Sequence, residues 1–377
     1  MRWDLITGEY PPTLGGVSDY TRVLAEELVR RGDCVHVWTC GGESRSIDDG
    51  VEVHRLPGRF GLSALRVLQA ELRPTVGRVV LLQYVHPAFG MKGLNLPFCA
   101  WFALRGGSDR WVMFHEVAFP REHADTLARR VLAEGTELMA RLLARAATHL
   151  FVSVPAWEPR LRQLGARAPI DWLPIPSTLP DLGNRSADRS VDRSVDRGGR
   201  FLIGHFGTYG DHIGGELRRI IPLILRPPNR ALLLLGLDGE RFIGEILAEH
   251  PWLEGRIRAT GKLALDQVAE RLSECDLLIQ PYPDGASARR TSLMAGLRLG
   301  LPIVTTFGAL SESLWHDSDA VELSPALDAA AFADRVDRLA NDPVRRRELG
   351  LRAKELYQER FSVARVAQIL QAVARRG

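Results

Sequence analysis

Residues 276–306, DLLIQPYPDGASARRTSLMAGLRLGLPIVTT, constrain the fold of this chain more than any other stretch. They open with an unbroken apolar run, Leu277-Leu278-Ile279, as a parallel strand buried on both faces does. A turn rich in Pro, Gly and Ser follows over 281–287. Residues 289–299 then read as a helix and stop at Gly300 and Pro302, in the order in which helices end. A β-branched run, Ile303-Val304-Thr305-Thr306, completes a strand–loop–helix–strand unit of βαβ length. In such a unit the loop at the carboxyl end of the first strand faces the ligand crevice. The helix after it offers unpaired N–H groups and a positive dipole end to an anion. Asp284, Gly285, Ala286 and Ser287 therefore stand where a phosphate would bind.

Arg289 and Arg290 fall in the first turn of that predicted helix, where the dipole disfavours a cation. A bound anion removes the conflict. So does a solvated side chain, or a pairing with Asp284, and with 46 arginines against 3 lysines arginine is the default cation of this chain. All three readings stay open at this stage.

The same alternation runs through the rest of the sequence. A strand at 3–7 leads into Gly8-Glu9-Tyr10-Pro11-Pro12-Thr13-Leu14-Gly15-Gly16 and then a helix with Val17, Tyr20, Val23, Leu24 and Leu28 at helical spacing. A second strand follows at 34–40. The double glycine thus lies in the first ligand-facing loop of a doubly wound sheet. Further strands are expected at 51–56, 79–83, 111–115, 149–154 and 170–177, with a long helix at about 122–147 and a short one at 157–164. His115 and Glu116 end one of these strands. A histidine there serves either as a structural hydrogen-bonding group or as a functional one on the ligand-facing edge. The apolar patch Pro97-Phe98-Cys99-Ala100-Trp101-Phe102 either packs on the sheet or meets a lipid or apolar acceptor.

Residues 181–200 change character, with Ser-Val-Asp-Arg repeated in tandem over 190–197; such a segment cannot bury a core and reads as a mobile interdomain loop. A second strand series begins at 201–207 and continues at 231–235, 257–259, 276–280, 303–306 and 320–323, with amphipathic helices at 343–357 and 363–374 closing the chain. The expected division is therefore 1–180, an intervening 181–200, a second domain over 201–360 and a last helix in 361–377.

Composition sets the remaining bounds. At 377 residues, 45% hydrophobic and 25% charged, the chain is that of an ordinary globular protein with room for two cores. A formal net charge of +3 is too small to imply nucleic acid as a partner. Cys34, Cys40, Cys99 and Cys275 have no metal-like spacing. The start, Met1-Arg2-Trp3-Asp4, does not read as a signal peptide, and the longest apolar stretch, 94–104, is about half of what spans a bilayer. A cytoplasmic protein without a transmembrane segment is expected.

The unit at 276–306 resembles the donor-binding segment of family 4 glycosyltransferases, retaining enzymes of the GT-B fold. In that family an acid, a Gly-rich turn and a Glu eight residues after the acid precede a helix and a G-x-P-V-V strand. Here Asp284 takes the first acidic position, Gly285 to Ser287 the turn, and Gly300-Leu301-Pro302-Ile303-Val304 the close, while Ser292 stands where the second Glu would contact the donor ribose. The opening EYPPTLGGVSDY is similar to the opening of the same family. The loop after residue 206, Gly207-Thr208-Tyr209-Gly210, lacks the Arg and Lys that the family presents to the diphosphate.

The resemblance implies an α/β protein of two Rossmann-like doubly wound parallel-sheet domains facing across a cleft. It implies sugar transfer from a nucleotide-sugar donor, a substrate rather than a cofactor, to an unknown acceptor, with retention and without a metal; peripheral membrane contact is compatible with it. Asp284 would meet a sugar hydroxyl, and the amides of Gly285, Ala286 and Ser287 with Arg289 or Arg290 would meet the diphosphate. His115 would donate to a sugar hydroxyl or phosphate oxygen. Gly207, Ser292 and the loop at Lys262 and Leu263 complete the donor side, the last meeting the base. Gly15 and Gly16 would close on the donor from the other domain, with Tyr10, Asp19 and Glu116 on the acceptor side. Two other classes share these features: a GT-B nucleotide-sugar epimerase, and a non-catalytic sugar-nucleotide-binding protein.

Overall fold

The computed structural model describes residues 1–13, 15–41, 45–106, 110–121, 124–180 and 199–376. The chain divides into two units, Met1–Ile175 together with Val363–Gly377, and Pro176–Ser362. The tandem repeat at 190–197 lies outside the described residues.

The first unit runs β1 (Arg2–Thr7), α1 (Gly16–Arg30), β2 (Cys34–Cys40), β3 (Arg45–Asp48), β4 (Val51–Leu56), α2 (Leu62–Glu71), β5 (Arg78–Tyr84) and α3 (Leu96–Leu104). It continues through β6 (Arg110–Phe114), α4 (Leu127–Ala146), β7 (His149–Val152), α5 (Glu158–Gln163) and β8 (Ile170–Trp172). The strands form one sheet in the order β3-β4-β2-β1-β5-β6-β7-β8, parallel except where β3 pairs antiparallel with β4. Alternate residues serve opposite faces: Ile6, Val80 and Leu82 join one apolar cluster, Leu5, Val79 and Leu81 the other. A sheet buried on both sides needs such strands, and the apolar runs supply them.

Edge strand β3 has no apolar run, which is why the sequence does not announce it. The patch at 97–102 packs on the sheet. Phe98, Cys99 and Phe102 are fully buried, with Phe98 stacked on Phe89 at 4.7 Å and Asn95 capping α3 by accepting from the Phe98 amide at 3.1 Å. Each buried ring stabilises the fold by about 1.5–3 kcal/mol relative to exposure, which favours the inward arrangement.

The second unit contains β9 (Phe201–Phe206), α6 (Asp211–Ile224), β10 (Arg230–Leu235), α7 (Gly239–Glu249), β11 (Ile257–Ala259), α8 (Leu265–Ser273) and β12 (Leu277–Gln280). After these come α9 (Thr291–Leu299), β13 (Ile303–Phe307), α10 (Leu314–Asp317), β14 (Glu322–Pro325), α11 (Ala329–Asn341) and α12 (Pro343–Leu356). Its sheet is parallel in the order β11-β10-β9-β12-β13-β14. The last helix, α13 (Val363–Ala374), belongs to the first unit: Val366, Ala367 and Leu370 pack with Leu24 and Leu28 of α1, and Gln371 donates to Asp33 at 2.7 Å. Both units are therefore Rossmann-like α/β domains, each with a point where strand order reverses beside its first strand.

Candidate active site

In the second unit the order reverses between β9 and β12, so the loops after these strands and after β13 share the ligand-facing edge. Backbone contact pins two of them together. Gly285 has φ +90°, and a Cβ there would fall 2.3 Å from the Gly308 amide nitrogen; the Leu310 amide donates to the Asp284 carbonyl at 2.9 Å. Only glycine fits so close an approach in that conformation.

The turn folds Asp284 back onto both arginines. Arg289 Nη2 lies 2.8 Å from Asp284 Oδ2, and Arg290 donates to Asp284 Oδ1. Arg290 also lies over the Tyr282 ring, 4.7 Å from its centroid. Burial pushes the Asp284 carboxyl up, but the guanidiniums of Arg290 and Arg289 outweigh it and hold the acid below its ordinary range. The two guanidiniums share this one carboxylate, the Glu312 carboxylate also bears on Arg289, and the side chains of Asp284, Arg289 and Arg290 are only 17–22% exposed.

This pairing changes the helix boundary. α9 begins at Thr291, not 289, with Arg290 at its N-cap in an extended conformation. Arg289 and Arg290 are thus loop residues that converge on one acid, where helical spacing would have sent them about 100° apart.

The amide cradle is partly used by the fold. The Gly285 amide donates to the Tyr282 carbonyl at 3.0 Å and that of Ala286 to Thr306 at 2.7 Å. Ser287 is fully buried and its hydroxyl has no partner among the described residues. The Ser292 hydroxyl bonds Tyr282 Oη at 2.8 Å and Gln280 Oε1 at 3.4 Å, so it is held inside the unit.

Glu312, which sequence reading missed, completes the group. From the loop after β13 it accepts from the Ala288 amide at 3.0 Å and from the Trp315 indole at 2.7 Å. Burial raises its pKa, and those two donors restrain the rise. A carboxylate 24 residues beyond the amide it caps has no local signature. Another residue missed is His205, fully buried one position before the end of β9, with neither ring nitrogen hydrogen-bonded among the described residues; burial lowers its pKa to about 3. Gly207 follows it and donates to the Leu235 carbonyl at 3.0 Å. Lys262 is exposed and Leu263 half-buried after β11, two strands from the reversal; Leu263 lines a cavity with Thr260, Arg256, Arg258 and Arg271.

In the first unit the reversal falls between β1 and β5. Gly8, after β1, lies so close to Ala88 that a Cβ would fall 2.5 Å from its carbonyl oxygen. A Cβ on Gly15 would fall 2.1 Å from Glu9 Oε2, whereas one on Gly16 meets nothing within 4 Å among the described residues. Gly16 starts α1 with no side-chain cap, and Asp19 lies in its first turn with a pKa raised by burial against the pull of Arg22. Tyr10 is buried and its phenol donates to Asp48 at 3.0 Å.

His115 directly follows β6, nearly buried, edge-on to Tyr20, with Nε2 2.8 Å from Gln83 Oε1. With that oxygen as acceptor, Nε2 carries the proton and spends it on Gln83, leaving Nδ1 as an acceptor. Burial lowers the His115 pKa to about 3 and that of His86 to about 4, so both rings are neutral at pH 7. His86 Nε2 lies 4.0 Å from Glu116, which is itself half-exposed. The structure thus groups Asp284, Gly285, Ser287, Arg289, Arg290 and Ser292 in the second unit. It groups Gly15, Gly16 and Asp19 at the start of α1 in the first, with His115 and Glu116 after β6.

The sequence of the first unit matches the family model described as the glycosyl transferase 4-like domain over residues 15–176. The second matches glycosyl transferases group 1 over residues 202–342. This chain belongs to the glycosyltransferases. No curated protein sequence matches the glycosyltransferase significantly. Solved structures match it over its whole length. Sucrose-phosphate synthase from Thermosynechococcus elongatus is 17% identical with a TM-score of 0.75, covering 100% of this chain and 98% of that one. WaaG, a glycosyltransferase involved in lipopolysaccharide biosynthesis, is 15% identical with a TM-score of 0.68 over 100% of both chains. HepE of Anabaena, solved in complex with UDP and glucose, is 16% identical with a TM-score of 0.67 over 99% of both. These likenesses establish the GT-B fold for the glycosyltransferase. Among its described residues no helix is long and apolar enough to cross a membrane.

Proposed function

We propose that this glycosyltransferase moves a hexose from a nucleoside-diphosphate sugar to an acceptor, retaining anomeric configuration and without a metal ion. The observation that carries the reading is the Asp284–Arg289–Arg290 group, a pair of guanidiniums fixed on one acid at the carboxyl end of β12, just ahead of the N-terminus of α9. When the bond between sugar C1 and the β-phosphate oxygen breaks, its electrons stay on the leaving diphosphate. Fixed cations and a helix N-terminus stabilise that growing charge without having to reorganise.

The arginines replace the Arg and Lys absent after β9. Both carboxylate oxygens of Asp284 accept from them, so in this reading Asp284 is a positioning residue that keeps the two guanidiniums together. Gly207, Lys262 and Leu263 serve the nucleotide side of the same unit. The acceptor meets the first unit, where Gly16 presents uncovered backbone beside Asp19 and where His115 and Glu116 follow β6. His115 supports that edge through Gln83 and, with its pKa lowered to about 3 by burial, is too weak a base to take a proton from an acceptor hydroxyl at pH 7. Reduced cysteines fit action in the cytoplasm.

HepE was solved with UDP-glucose as well as UDP, so uridine-linked hexoses are the first donors to try. A panel of nucleotide sugars, read as thermal shifts, identifies the donor: at 100 times its dissociation constant it adds about 2.7 kcal/mol to stability. With that donor and a set of hydroxyl acceptors, proton NMR of the product gives the anomeric outcome. A retained anomer formed at an unchanged rate in EDTA supports the reading. An inverted anomer, or a rate abolished by EDTA, contradicts it.

A further inference from the structure

Strands β2 and β4 of the first unit carry a cluster that sugar transfer does not use. His36 pairs in register with Glu52, and Trp38 with His54, so all four side chains lie on one face of the sheet. His36 Nδ1 is 2.9 Å from His54 Nε2 and 3.6 Å from Glu52 Oε2, and His54 Nε2 is 3.9 Å from the same oxygen. A point equidistant from those three atoms lies about 2.0 Å from each, the length of a zinc–imidazole bond. Two imidazoles and one carboxylate are also a ligand set that zinc takes when one position is left to water.

The surroundings hold the rings in place. His54 stacks on Trp38 at 4.1 Å, and the Trp38 indole donates to the buried Asp4 at 2.9 Å. The second nitrogen of His36 lies 3.4 Å from Cys34 Sγ, so the thiol supports the ring from its far side. Arg45 on β3 ion-pairs with the Glu52 oxygen that faces the histidines, and its own side chain is 66% exposed. It can leave without disturbing the core.

We propose that His36, Glu52 and His54 bind one divalent transition-metal ion of the zinc class, clamping β4 to β2 near the open edge of the sheet, with water in the remaining position. Arg45 acts as the cation that the metal displaces. His36 and Glu52 lie in the amino-terminal half of their strands and His54 just past the middle of β4, short of the ligand-facing carboxyl edge, so the role of the site is structural and independent of the sugar-transfer reading.

The test uses the untagged full chain, stripped with EDTA and titrated with ZnCl2, with metal quantified after dialysis and Co2+ absorption as a second probe. One equivalent of zinc should bind, and Co2+ should give the visible bands of a low-coordinate nitrogen–oxygen site without a thiolate charge-transfer band. Glu52→Gln and His54→Gln should each weaken binding at least about tenfold, the lower end of what disturbing a ligand's support costs. Arg45→Met should tighten it by up to about fivefold, the worth of one exposed ion pair. Cys34→Ser should keep it. Absence of a stoichiometric site, or zinc affinity unmoved in Glu52→Gln, overturns the proposal. Glu52 is partly exposed, so its replacement is expected to leave the fold intact, and circular dichroism of that variant verifies it.

Discussion

At the carboxyl edge of the first sheet, near the strand reversal, burial keeps the rings of His86 and His115 neutral. At the corresponding edge of the second sheet burial keeps His205 neutral as well, but Asp284 and Glu312 join it, the first held ionised by two guanidiniums and the second capped by an amide and an indole. One topological rule therefore produces two kinds of ligand edge. The first carries neutral donors and acceptors with exposed backbone, as hydroxyl recognition requires. The second carries fixed charge, as a diphosphate requires.

The largest expected effect comes from removing the residue that organises the charged edge. Asp284→Ala should lower kcat/KM by about a hundredfold, the usual cost of losing one preorganised element of charge stabilisation. Affinity for UDP should change little, because the lost order of the arginines is offset by the lost negative charge. A matching fall in UDP affinity would assign Asp284 to ground-state binding instead. Next in size is Gly285→Ala, which places a Cβ 2.3 Å from the Gly308 amide and strains a left-handed residue. Urea unfolding should show a loss of about 1–3 kcal/mol.

The neutral edge makes a prediction about pH. His115 has a folded pKa of about 3 against about 6.5 unfolded. A depressed pKa contributes stability that is fully present above pH ~6.5 and is lost as pH falls from there through the folded value. Between pH 6 and 4 the unfolded chain thus binds one more proton at this site, worth about 1.4 kcal/mol per pH unit. His115→Gln removes that proton and should flatten the acid slope of stability by about this amount. An unchanged slope would mean that His115 titrates normally. The smallest effect belongs to Gly16→Ala, where a Cβ meets nothing: stability should stay within about 0.5 kcal/mol, and a fall in acceptor KM-dependent rate without it would mark the open backbone as a binding surface.

Much of this contrast was legible in the sequence, and the reasons differ by residue. Apolar runs such as Leu277-Leu278-Ile279 announce parallel strands because both faces of each sheet are covered, and the glycine at 285 marks a close backbone approach. Strand β3 escaped because an edge strand with alternating exposure has no apolar run. The start of α9 was set two residues early because the competition between helix and loop at Arg289 and Arg290 is decided by their shared acid, a tertiary pairing. Glu312 and the Gln83 partner of His115 escaped for the same reason: each bond joins loops or strands more than twenty residues apart. The amides of Gly285 and Ala286, read as an anion cradle, are instead consumed in tying the turn to Tyr282 and Thr306.

The central claim is that the arginines gathered by Asp284 supply the charge that a diphosphate meets. Calorimetry with UDP and with uridine on Arg289→Met and Arg290→Met tests it most directly. At least one variant should lose roughly 1.5–3 kcal/mol of UDP affinity, the range for hydrogen bonds to a charged group, while its uridine affinity hardly moves. If both variants bind UDP as the wild type does, or lose uridine and UDP equally, the guanidiniums do not face the phosphates and the account of this edge is wrong.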